Sequence, residues 1–215
     1  MTSRSTALLA AALLLAVCAC SAPVPSEAEP YEFDQRDTAV KVDTPELREQ
    51  KAAAAIEPCP ASDGSATTVE RGLPHLRLPC LGGGRDVDLA GLRGTPTVIN
   101  LWAQYCGPCR QEAPLFQRFH EAAGDDVAVI GIDWQDTRPG AAIAFADELG
   151  LTYPQLADPE AATRAPLRVS ALPMTLLVDE QGVVVHTQYT VVTSIGELAD
   201  LVERKLGVRV DVGSR

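Results

Sequence analysis

Cys106 and Cys109, separated by Gly107 and Pro108, are the residues of this chain best suited to covalent chemistry. A thiolate is a good nucleophile, and two thiols three residues apart can close a small ring by forming a disulfide. They follow Asn100-Leu101-Trp102-Ala103-Gln104-Tyr105, where an apolar run leads into a loop, and they precede a stretch with helical character. That placement puts Cys106 at a helix entrance, where free backbone N–H groups and the helix dipole favour an anion; the site lowers its pKa and activates it. Cys109 falls inside the first turn, closer to the protein body, and is placed to resolve a mixed disulfide on Cys106. Rival uses of the pattern lack partners. A structural zinc site needs a second pair of ligands, and c-type haem attachment needs a histidine where Arg110 stands. His75, His120 and His186 are scattered without ligand spacing, so no metal and no cofactor is expected.

The elements that hold such a pair can be read from the surrounding pattern. Thr97–Leu101, Val127–Asp133, Met174–Val178 and Val183–Gln188 are short runs of aliphatic and β-branched residues; Pro108–Ala123, Ala141–Leu149 and Ser194–Leu206 read as helices. Apolar strands alternating with helices predict an α/β sheet covered on both faces. Glu180-Gln181-Gly182 predicts a hairpin between the last two strands. The order is β-α-β-α, a hairpin, and a closing helix. Gly82-Gly83-Gly84 precedes the first clear strand and reads as a loop rather than a nucleotide-binding turn.

The run W-A-x-x-C-G-P-C-R resembles the thioredoxin superfamily. Its continuation, Cys109-Arg110-Gln111-Glu112-Ala113-Pro114, is similar to the TlpA/ResA branch of extracytoplasmic thiol–disulfide oxidoreductases, with C-x-x-C-[KR]-x-E-x-P matched throughout. The resemblance covers about residues 70–207. It implies a thioredoxin fold, a central mixed sheet flanked by helices, with the insertion of that branch and an N-terminal extension. It further implies that Leu172-Pro173-Met174-Thr175 is the cis-proline loop facing the thiols. Substrate would then be met by Trp102, Tyr105, Leu172 and Pro173, with Tyr105 standing where the branch often has Trp. Glu112 matches an acid of the branch and would accept the proton of the resolving thiol. Asn100 occupies the place of a buried aspartate in cytosolic thioredoxins, which shifts proton handling toward Glu112.

The N-terminal residues read as an address. Arg4 is the only charge before Glu27, and the apolar run Ala7–Ala19 is shorter than the ~20 residues of a spanning helix, which describes a secretory signal. Val17-Cys18-Ala19-Cys20-Ser21 resembles a bacterial lipobox, with Cys20 the expected lipidated residue and Cys18 the alternative. The domains expected are a signal over 1–20, an acidic tether with one short helix over 21–66, a thioredoxin-like domain over 67–210, and a tail over 211–215. Residues 21–58 carry nine acids and four bases, too polar for most of the stretch to order itself. Thr44-Pro45-Glu46, a cap followed by a proline at the first helical position, marks the helix. Cys59 and Cys80 pair by elimination in a compartment that permits disulfides, as a structural bridge or, alternatively, a second redox pair.

The chain of 215 residues is 46% hydrophobic and carries a net charge of −11, enough apolar residue for one sizeable core and too acidic to neutralise a phosphate backbone, so nucleic acid is excluded as a partner. The expectation is a membrane-tethered extracytoplasmic oxidoreductase. Gly107-Pro108, with no histidine between the cysteines, leans toward a reductant. Similarity to the TlpA/ResA branch implies disulfide-containing substrates such as apocytochrome c before haem attachment, and a CcdA/DsbD-type membrane electron donor. The alternatives are a disulfide oxidase or isomerase for secreted proteins and a non-catalytic binding lipoprotein.

Overall fold

The computed structural model describes residues 39–213; the signal, Cys18 and Cys20 lie outside them. A five-stranded sheet is built from β3 (Thr97–Trp102), β4 (Ala128–Trp134), β5 (Gln155–Asp158), β6 (Met174–Val178) and β7 (Val184–Gln188), in the order β5-β4-β3-β6-β7. β3, β4 and β5 run parallel, whereas β6 and β7 are antiparallel to their neighbours, so the sheet is mixed. A small hairpin, β1 (Arg77–Leu78) with β2 (Val87–Asp88), precedes it. The helices are α1 (Pro45–Ala53), α2 (Gly107–Ala123), α3 (Pro139–Glu148) and α4 (Ile195–Leu206).

Alternation along β3 sorts the two sides of the core, because successive side chains of a strand point to opposite faces. Val98 and Trp102 pack with Phe116 and Phe119 of α2, Phe145 of α3, and Leu198 and Val202 of α4. Ile99 and Leu101 pack on the other side with Leu73, Leu78, Val87, Leu89 and Leu92, which come from the small hairpin and the turn after it. Both faces are covered, as expected. The second face is covered by a hairpin and loops and not by helices.

The folded body begins before residue 67, where the composition had placed its start. Thr44 caps α1 by accepting from Leu47 N–H at 3.3 Å, and Val42, Leu47, Ala54 and Ile56 are buried in the helix-side cluster. Residues 42–56 therefore carry an apolar stripe that docks α1 beside α3, with Glu46, Arg48 and Glu49 facing water.

Gly131 marks the tightest spot in the sheet. A Cβ there would lie 1.8 Å from Gln155 Oε1 and 2.8 Å from Trp102 Nε1, the two atoms of a buried 2.9 Å hydrogen bond. Gly131→Ala breaks that bond inside the core and is expected to destabilise the protein by about 2 kcal/mol, read as a lower urea midpoint with an unchanged slope.

Candidate active site

The thiols sit where β3 ends and α2 begins. Cys106 is the N-cap of α2, with extended backbone angles, and its Sγ accepts from Cys109 N–H at 3.2 Å. Pro108 falls in the first helical turn, where its missing N–H costs nothing. The two sulfurs are bonded at 2.03 Å across a Cα separation of 5.3 Å. Cys106 is half-exposed at the surface, whereas Cys109 is 0% exposed. An incoming sulfur thus meets one thiol and not the other.

Register brings the second half of the site alongside. Leu101 pairs with Met174, so the preceding Leu172–Pro173 peptide, which is cis, lies at the end of β3 from which the cysteine loop departs. Leu172 is half-buried and Pro173 buried. Tyr105, next to Cys106, is 55% exposed, its hydroxyl donating to the carbonyls of Trp134 and Gln135 at 3.5 and 3.3 Å. It offers an aromatic surface held in place at its far end.

Trp102 requires a correction. Expected to contact substrate, it is 1% exposed, stacked on Phe145 with ring centroids 4.8 Å apart and bonded through Nε1 to Gln155. It is the last residue of a central strand on the side the helices cover, so its ring has no path to the surface. It supports the cysteine loop from beneath.

Glu112 is 0% exposed. Its Oε1 accepts from Asn100 Nδ2 at 2.8 Å and its Oε2 from Val192 N–H at 2.9 Å. Burial pushes its pKa up to about 7; the Val192 and Asn100 bonds oppose the rise and the Glu197 charge adds to it. The buried acid lies one helical turn beyond Cys109, so it can exchange a proton near neutrality, and Asn100 positions it. Asp133, which pairs with Trp102 across β3 and β4, is a second buried acid beneath the site. Burial holds it well above the carboxylate range, with Asp136 and Asp158 adding to the effect. The sequence reading missed it, although a single acid closing the apolar run of β4 was the signal. Among the described residues no cluster of three or more His, Cys, Asp or Glu side chains could hold a metal ion.

Residues 66–203 match the redoxin family model. The chain belongs to the redoxin family. This redoxin is similar to the thioredoxin-like protein YneN of Bacillus subtilis, with 32% identity over 52% of its own length and 65% of YneN. It is likewise similar to a thiol:disulfide interchange protein DsbE of Allochromatium vinosum, with 35% identity over 60% and 67% of the two chains. The chain thus spans about two thirds of these relatives. Among solved structures, MTB DsbF in mixed oxidised and reduced forms superposes with a TM-score of 0.57 at 28% identity, covering 64% of this redoxin and 98% of that chain. The thioredoxin fold with its mixed sheet and flanking helices is therefore that of the family.

Proposed function

We propose that this redoxin is a membrane-tethered extracytoplasmic reductase of protein disulfides. The observation that carries the reading is a half-exposed Cys106 capping α2, bonded to a fully buried Cys109, with the buried Glu112 on the same helix. In the reduced state Cys106 attacks a substrate disulfide as the thiolate. One substrate sulfur joins Cys106 and the other leaves as a thiolate. Cys109 then gives its proton to Glu112 and attacks Cys106 Sγ, which releases the second substrate thiol and leaves Cys106–Cys109 oxidised. Two electrons pass to the substrate, and a dithiol donor returns them. Leu172 and Pro173 present backbone to an extended substrate chain beside Tyr105.

The tether rests on the lipobox-like Cys20, and the compartment is supported by the signal together with the Cys59–Cys80 bridge. Likeness to the TlpA/ResA branch supports apocytochrome c as substrate and a CcdA/DsbD-type membrane protein as donor. The direction of electron flow is tested by equilibrating the full chain in dithiol–disulfide buffers and by assaying reduction of an oxidised C-x-x-C-H peptide. We expect a potential nearer the about −270 mV of thioredoxin than the about −120 mV of DsbA, together with reduction of the peptide. A DsbA-like potential with no peptide reduction overturns the reading in favour of an oxidase.

A further inference from the structure

Lys51 is an unusual residue to find where it is. It is 8% exposed, and its Nζ lies 2.8 Å from Cys80 Sγ and 3.0 Å from the Gly83 carbonyl. Cys80 is bonded to Cys59. A disulfide sulfur is a poor acceptor, so of the three N–H donors of the ammonium only the one facing Gly83 meets a good partner. Burying a cation so incompletely served is unfavourable, and burial indeed lowers the Lys51 pKa, with the Asp43 charge opposing. The loop that carries Cys80 and Gly83 nonetheless packs closely on the helix that carries Lys51. Gly82 has φ +71°, and a Cβ on it would lie 2.8 Å from Lys51 Cβ and 3.0 Å from the Leu47 carbonyl. The ammonium becomes well paired in one state of this bridge, the open one, in which Cys80 is a thiolate.

Both cysteines are buried, Cys59 at 4% and Cys80 at 1% exposure, but they differ in what lies beside them. Cys59 lies at the floor of a surface cleft of about 570 Å³, together with Lys51, Pro58, Gly82, Gly83 and Arg85, while Cys80 does not line it. We propose that Cys59–Cys80 is a second thiol–disulfide exchange site, in which an external thiolate attacks Cys59 from the cleft and Cys80 departs as a thiolate paired with the Lys51 ammonium. The first step makes one sulfur–sulfur bond, between the incoming thiol and Cys59, and breaks the Cys59–Cys80 bond. A second thiol of the same dithiol donor then attacks its own mixed disulfide and frees Cys59, so the donor is oxidised by two electrons and the bridge is reduced by two. Cys106–Cys109 of the same molecule is not the donor. Cys80 is bridged to Leu156 at the β5 edge, whereas the first pair stands at the end of β3, two strand spacings or about 10 Å across the sheet.

The test treats the oxidised full chain with reduced glutathione and separately with excess dithiothreitol, quenches by alkylation, and assigns each cysteine by peptide mass. We expect the first glutathione adduct of this bridge on Cys59. We also expect Lys51→Met to slow its reduction by dithiothreitol about five- to tenfold, because the leaving thiolate loses its cation. Equal rates in the two proteins, an adduct on Cys80, or opening only after the protein is unfolded each overturn the proposal. The adduct position is read on the unsubstituted chain and decides the matter even if Lys51→Met fails to fold.

Discussion

Replacing Cys106 by serine is expected to lower disulfide reduction by about 10³-fold or more, to the level of the uncatalysed exchange. The helix entrance stabilises an anion only if the capping side chain can ionise, and a serine hydroxyl at the N-cap stays neutral near pH 7. Cys109 cannot substitute, since it is buried behind the first turn. Cys109→Ser separates the two steps. Cys106 keeps its position and its exposure, so it still attacks a disulfide, but nothing resolves the product. That variant should stop after a single turnover with one substrate sulfur bonded to Cys106, visible as a mass adduct that dithiothreitol removes. Continued turnover by Cys106→Ser, or no adduct on Cys109→Ser, defeats the assigned division of labour between the two thiols.

The contrast between exposed and buried sulfurs was readable from the sequence because it depends on local geometry. A strand, a short loop and a helix beginning at the motif leave little freedom in where each side chain goes. β3, β4, β6 and β7 were legible for a related reason: each has five or more residues and is rich in aliphatic and β-branched side chains. β5 was not, since Gln155-Leu156-Ala157-Asp158 is short and has polar ends. Its Gln155 and Asp158 are buried because their side chains find partners, Trp102 in one case and the turn at Ala162 and Thr163 in the other.

Where the sequence misled, a side chain's surroundings came from distant parts of the chain. Trp102 adjoins the motif, which made it a substrate contact on paper, yet its ring is closed off by Phe145 from α3. Residues 21–58 are acidic on average, and the average concealed that Val42, Leu47 and Ile56 form a stripe with a surface to cover. Lys51 stands four residues after Leu47, on the docked side of that helix, and only the three-dimensional arrangement shows that it faces a disulfide. The burial of Glu112 was foreseeable in part, since Cys109, Glu112, Ala113 and Phe116 recur at helical spacing along one buried side.

That burial gives Glu112 a second large expected effect, one that appears in stability as well as in rate. Its pKa is about 7 in the folded protein and 4.5 when unperturbed. The folded state therefore holds the proton more tightly than the unfolded chain does. Below pH 4.5 both states are protonated and the site is at its most stabilising; as pH rises through 7 the folded protein must carry a buried carboxylate, and about 3 kcal/mol of stability is lost. Glu112→Gln cannot ionise. The variant carries a constant penalty, because its amide cannot accept from both Asn100 and Val192 N–H, but the pH-dependent loss disappears. Urea titrations of the oxidised proteins between pH 4.5 and 8 should show the wild type falling by about 3 kcal/mol relative to the variant. Parallel profiles would show that the carboxyl is not held protonated by its surroundings. Turnover follows the same group in the opposite sense: the ionised form accepts the Cys109 proton, so the wild-type rate rises through pH 7 while Glu112→Gln loses the rise and about 10²-fold of the rate above it. Attack by Cys106 precedes that proton transfer, so mixed-disulfide formation should be unchanged in Glu112→Gln. A loss of the first step as well would mean that Glu112 shapes the site and does not move the proton.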